Sequence, residues 1–220
     1  MEEIDFLGGL HNRTSRDYLE RVNSFDKAEC SAIASLFGED YWDGERQYGY
    51  GGYSYDGRWL SVAERFVAHY GLTNESRILD VGCGKGYLLY EFRQLLPGIE
   101  IAGIDVSEYA LENAKPEIKS ELVLGTAASL PWPDDHFDLV ISLTALHNLF
   151  IADLWRAVAE IERVSRGRGY VSVESYRTEE EKANLLYWQL TCRAFHTPAE
   201  WRWIYETAGY TGDYGFIFFT

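Results

Sequence analysis

Three glycines and two carboxylates hold the spacing with the most chemical content in this chain. The run Arg77-Ile-Leu-Asp-Val-Gly-Cys-Gly-Lys-Gly-Tyr-Leu-Leu is an apolar strand pattern that ends in a loop carrying Gly82, Gly84 and Gly86, after which a helical pattern begins. Glycines at that place let the backbone turn tightly and come close to a ligand. Asp80 lies at the strand end, and a second apolar run finishes in Gly103-Ile-Asp105, 21 residues after Gly84. In a doubly wound sheet that interval carries the second carboxylate to the edge where the glycine loop sits, within reach of a ribose.

Two ligand classes fit a glycine loop followed by an acid. Dinucleotide binders space their glycines as G-x-G-x-x-G, so that a helix N-terminus meets the pyrophosphate; here the pattern is Asp80-x-Gly82-x-Gly84-x-Gly86. S-adenosylmethionine has no phosphate, and its cationic amino group favours an acidic strand end, a need that Asp80 meets. Leu79-Asp-Val-Gly-Cys-Gly-Lys-Gly86 resembles the first motif of the class I S-adenosylmethionine-dependent methyltransferases, Gly103-Ile-Asp-Val-Ser107 the second, and Leu130-Pro-Trp-Pro-Asp-Asp-His-Phe-Asp-Leu-Val140 the loop and fourth strand. The resemblance implies that Asp80, Gly82 and Gly84 hold the methionyl part, that Asp105 binds the ribose hydroxyls, that Val106 lies against the adenine, and that the fourth strand ends beside the cofactor around Leu143. Where the family often carries an acid for the adenine amino group, Gly125 is followed by Thr126. A hydroxyl accepts that bond more weakly, and the backbone of Ala127 can recognise the ring.

Further candidates flank these motifs. His147 follows the fourth strand, where an imidazole could deprotonate an acceptor near neutral pH or could be satisfied by loop backbone and fix the turn. Asn148 either orients a substrate or caps the next helix. Glu174, the second choice of base, with Tyr176 and Arg177 at the end of the fifth strand, either contacts substrate or forms a strand-end salt bridge. The segment Tyr41–Trp59 packs seven aromatics and five glycines into nineteen positions. It reads as a mobile lid at the pocket mouth, with Tyr50 and Tyr53 toward the acceptor, or as a loop of aromatics packed over the sheet. Arg58 either meets the methionyl carboxylate or is a solvated surface arginine.

The elements that must position these residues form an α/β pattern: a doubly wound, mostly parallel sheet flanked by helices, preceded by an N-terminal helical and aromatic lid segment. Strands are predicted at Arg77–Val81, Ile99–Ile104, Glu121–Leu124, Phe137–Leu143 and Gly169–Glu174. Helices are predicted at Asp17–Phe37, Tyr87–Leu96, Glu108–Ala114 with Ser107 as N-cap, Ala152–Ser165 and Pro198–Ala208. The division falls between residues 1–76 and 77–220, and Tyr214–Thr220 leaves little room for the family's usual pair of closing strands. With 220 residues and 46% apolar content the chain suits one globular fold. A net charge of −15 argues against nucleic acid, and no apolar run suits a membrane span. Cys30, Cys83 and Cys192 show neither disulfide nor metal spacing, so no metal and a cytoplasmic setting are expected. The predicted function is methyl transfer from S-adenosyl-L-methionine to a nitrogen or oxygen of a small-molecule acceptor. Its rivals are a nicotinamide-dependent oxidoreductase and a non-catalytic cofactor-binding protein on the same fold.

Overall fold

A computed structural model of the chain describes residues 1–11 and 17–220. Its elements run α1 (Gly8–His11), α2 (Tyr18–Ser24), α3 (Lys27–Ala34), α4 (Glu39–Trp42), α5 (Leu60–Tyr70), β1 (Arg77–Val81), α6 (Tyr87–Leu95), β2 (Glu100–Asp105), α7 (Glu108–Glu112), β3 (Leu122–Leu124), β4 (Leu139–Leu143), α8 (Ile151–Val164), β5 (Gly169–Glu174), α9 (Glu179–Trp188), α10 (Pro198–Thr207) and β6 (Asp213–Ile217). The six strands lie in the order β3-β2-β1-β4-β5-β6, and every pairing is parallel.

β4 and β5 are buried along their whole length, as strands covered on both faces must be. One layer is built on α5 and α6, where Phe66 and Phe92 meet Ile78 and Ile101. The other is built on α8 and α10, where Leu154, Val158 and Ile161 form the buried stripe that their helical spacing predicts and Trp201 and Tyr205 fill the gap beside it. The strand order reverses between β1 and β4, so the crevice beyond their carboxyl ends is the natural ligand site. Register fixes its floor: Asp80 lies opposite Gly103 on one side and Ile141 on the other.

One expectation changes. Asp17–Phe37 is not one helix, because Phe25 and Asp26 are extended and the Asp26 side chain accepts the Ala28 and Glu29 N–H groups, starting α3 afresh. The short C-terminus supplies one closing strand, β6, which α10 delivers parallel to β5. Its outer edge is covered by the N-terminus, where Ile4 N–H donates to the Tyr214 carbonyl and Tyr214 N–H to that of Glu2. Phe6 stacks on Phe66 at 4.2 Å, so the first residues and α5 share a hydrophobic cluster with the sheet. Among the described residues no helix is long and apolar enough to cross a membrane.

Candidate functional site

The glycine loop leaves β1 with Gly82, Gly84 and Gly86 all at positive φ. Gly82 and Cys83 both donate to the Ile104 carbonyl, which ties the loop to the end of β2. Gly84 N–H donates to Asp105 Oδ2 at 2.7 Å and Ser107 N–H to Oδ1 at 2.8 Å. Asp105 is thereby oriented, and each oxygen keeps acceptor capacity for a ligand hydroxyl. Burial raises the Asp105 pKa, and the backbone donors oppose the rise.

Asp80 stands differently. Its side chain is buried and Oδ1 has no hydrogen-bond partner. Burial, and then the Asp105 charge, push its pKa up to about 7. A buried carboxylate without a donor is costly in isolation, and a cationic ligand group is the partner that would stabilise it.

Both acids line a cavity at the β1/β4 switch point, whose other walls include Gly82, Gly84, Val106, Gly125, Ala127, Leu143 and Asn148. Val106 is 54% exposed, an apolar face open to a flat ring. The outer wall comes from residues 37–59 through Phe37, Tyr41, Trp42, Tyr50, Tyr53 and Trp59. Trp42 is buried, donates from Nε1 to Ser107 Oγ at 2.8 Å, and stacks on Tyr50 with ring centroids 5.2 Å apart. A Cβ on Gly84 would lie 2.7 Å from the Trp42 ring, so glycine is required where the indole closes on the loop. At Gly49 a Cβ would collide with the Tyr41 carbonyl. That glycine lets the segment fold back on itself, with Tyr50 N–H bonded to Tyr41 O at 2.8 Å.

An ion pair fastens this wall to the glycine loop. Lys85, buried in the loop, donates to both Asp43 oxygens at 2.8 and 2.6 Å and to the Tyr53 carbonyl at 2.8 Å. Burial works against the Asp43 carboxylate, but Lys85, the Tyr53 N–H and the Tyr109 hydroxyl hold its pKa below the usual value. Nothing in the sequence links residue 43 to residue 85, and Trp42, Asp43 and Lys85 were all missed as site residues. The one available signal was a lysine between two loop glycines.

A methyltransferase-domain family matches residues 79–173, from the strand that carries Asp80 to the body of β5. That match spans 95 of the 220 residues and marks them as a methyltransferase domain. The chain is similar to the demethylmenaquinone methyltransferase of Symbiobacterium thermophilum, 35% identical over 121 residues that make up 51% of this chain and 47% of that one. It is also similar to the mitochondrial arginine-hydroxylase NDUFAF5 of Rattus norvegicus, 36% identical over 92 residues, 41% of this chain and 26% of that one. The chain thus spans about half the length of the first and about a quarter of the second. Among solved structures, the YcgJ protein of Bacillus subtilis shares the fold, with a TM-score of 0.56 at 24% identity over 66% of each chain.

Within this methyltransferase fold several predicted site residues take other roles. His147 lines neither this cavity nor the one beside it. It is buried, Nδ1 accepts the Glu174 N–H at 3.4 Å, Nε2 lies 3.5 Å from Glu174 Oε2, and its carbonyl accepts from Arg193 and Ala194. Burial pushes its pKa down to about 3. The imidazole is thus enclosed in the turn between Glu174 and the backbone of residues 193–194. Glu174 lines the neighbouring cavity and accepts from the Gln189 amide.

Asn148 lines the main cavity, accepts from the Thr191 hydroxyl at 2.8 Å and leaves the start of α8 to Phe150, so it is not a helix cap. Tyr176 lines neither cavity and packs beside the core, with Lys182 Nζ 5.2 Å from its ring centre. Thr126 is exposed and its hydroxyl accepts from Ala128 N–H at 3.3 Å; its neighbours Gly125 and Ala127 line the main cavity and it does not. Arg58 is held by Asp56 through two 2.8 Å bonds and lines the neighbouring cavity, not the one that holds Asp80. Tyr50 and Tyr53 line both cavities.

Proposed function

We propose that this chain transfers a methyl group from S-adenosylmethionine to a nitrogen or oxygen nucleophile of a small molecule. The observation that carries the reading is Asp80: a buried carboxylate with an unpartnered oxygen, on the wall of a cavity whose second carboxylate, Asp105, is already aimed by two backbone donors. An amino-acid ammonium suits the first and a ribose the second. The cofactor supplies a methyl group already activated on a sulfonium, so the chain's own task is to bind, align and exclude water. Asp80 pairs with the ammonium, Asp105 accepts from the ribose, and Val106 and Ala127 flank the base. The Trp42–Trp59 wall, pinned by Lys85 and Asp43, keeps water from the reacting centre.

His147 takes no proton in this scheme. Where the acceptor must lose one, Glu174 is the carboxylate lining the adjoining space. A small acceptor is favoured over nucleic acid because a chain of net charge −15 repels a phosphate backbone. Tyr41–Trp59 acts as a lid that loosens to admit the acceptor and tightens on it.

Calorimetric titration with S-adenosylmethionine, S-adenosylhomocysteine, NAD and NADP tests the cofactor. Binding of the first two without the dinucleotides is expected; tight dinucleotide binding with no response to S-adenosylmethionine would overturn the proposal. A labelled-methyl assay on a panel of small amines, phenols and carboxylic acids separates catalysis from mere cofactor binding.

A further inference from the structure

A second cavity adjoins the first and shares Tyr41, Tyr50, Tyr53 and Thr144 with it. Three arginines and one carboxylate, Glu174, are among its described lining residues. Arg58 is neutralised by Asp56. Arg21 of α2 and Arg46 after α4 are not: among the described residues neither has an ion-pair partner, although acids outnumber bases in the chain by 35 to 20. Both guanidinium groups lie over Trp188, with Cζ 4.6 and 5.2 Å from the ring centre. Arg21 donates weakly to the Arg46 carbonyl at 3.5 Å, its Nε is buried without a partner, and Arg46 donates to the Gly49 carbonyl.

Serving the C-terminus of α9 does not explain the pair, because Lys27 already donates to the Leu186 and Tyr187 carbonyls there. Burial, and then the Arg46 charge, lower the Arg21 pKa. Two like charges held together beside an open cavity are stabilised by an anion, and guanidinium forks match carboxylate and phosphate oxygens.

We propose that Arg21 and Arg46 form the subsite for a carboxylate or phosphate group on the methyl acceptor, whose nucleophile points toward Thr144, where the two cavities meet. This rests on the reading above, in which the first cavity holds the methyl donor. The acceptor so described is a small molecule with an anionic end and a hydrogen-bearing nucleophile.

The test titrates benzoate and inorganic phosphate into the full chain saturated with S-adenosylhomocysteine, at constant ionic strength, with neutral benzamide as control, and reads melting temperature and Kd. A saturable rise with benzoate or phosphate and none with benzamide is expected, and the stronger of the two anions names the source. Arg21→Gln and Arg46→Gln should each weaken anion binding about tenfold or more, while S-adenosylhomocysteine affinity stays within about twofold. Arg156→Gln, which removes the same charge from the exposed face of α8, should leave anion binding unchanged. If a glutamine variant fails to fold, Arg21→Lys and Arg46→Lys keep the charge but lose the fork, and a several-fold loss is expected.

Neither anion stabilising a protein that binds S-adenosylhomocysteine would overturn the subsite alone, as would an equal loss in Arg156→Gln. Failure of S-adenosylhomocysteine to bind would instead sink the methyl-donor reading, and the same anion titration of the free protein would still decide the subsite.

Discussion

Protonation of Asp80 should couple cofactor binding to pH. With its pKa raised to about 7 by burial, the carboxyl is about 90% protonated at pH 6 in the free protein. An ammonium group seated beside it returns it to the ordinary carboxylate range. Binding of S-adenosylhomocysteine at pH 6 therefore releases about 0.9 proton from Asp80, about half a proton at pH 7 and almost none at pH 8.5. Calorimetry in buffers of different ionisation enthalpy reads this number directly. Affinity should fall about tenfold for each pH unit below 7.

The stability effect of the same group has the opposite sign. Its folded pKa lies above the unfolded value of 3.8, so the ligand-free protein holds this proton more tightly than the unfolded chain does. The contribution is complete below pH 3.8 and is lost as pH rises to about 7, a change of up to about 4 kcal/mol. Asp80→Asn should accordingly stabilise the ligand-free protein at pH 8 while weakening S-adenosylhomocysteine binding by about 2–3 kcal/mol and abolishing proton release. An enthalpy at pH 6 that does not vary with buffer would refute the reasoning, as would an Asp80→Asn protein that binds as tightly as the wild type.

Asp105→Ala should weaken cofactor binding by about 1–3 kcal/mol with the fold retained by circular dichroism. Because Gly84 and Ser107 lose their acceptor, a lower melting temperature should accompany it; unchanged affinity would mean that the ribose is held elsewhere. Asp43→Ala strands the buried Lys85 ammonium and should cost about 2–3 kcal/mol, with faster hydrogen exchange across residues 41–59. In the wild type, ligand binding should raise protection over the same residues, whereas equally strong protection with and without ligand would mark a rigid wall. His147 has a folded pKa of about 3 against a model-compound value of 6.5, so its contribution to stability is full above pH 6.5 and is lost as pH falls toward 3. His147→Asn should flatten that acid-side loss in a pH series of melting temperatures, and it should leave the pH dependence of any methyl transfer near neutrality intact; a lost neutral-pH inflection would restore the imidazole as a base.

The parts of this protein legible from sequence are those whose physical cause is local. The strand Arg77–Val81, its glycine loop and Asp105 at the end of β2 follow from apolar runs, glycine and a fixed interval, and the structure brings them to one edge because parallel β1 and β2 put Asp80 opposite Gly103. Helix starts were readable too, since Ser107 caps α7 through its own side chain and Pro198 opens α10. What needed the tertiary structure was every property that depends on a neighbour distant in sequence. His147 has the position of a base, but Glu174, 27 residues on, encloses it and desolvation keeps it neutral. Thr126 and Tyr176 lie at the right chain positions yet line neither cavity. The glycines of residues 41–59 suggested freedom, yet at Gly49 the absent side chain makes room for the Tyr41 carbonyl. Lys85 pairs with Asp43 across 42 residues, and Arg21 meets Arg46 over Trp188. Periodicity records which face of an element is buried, whereas the charge state, partner and direction of a side chain are set by the atoms that folding packs around it.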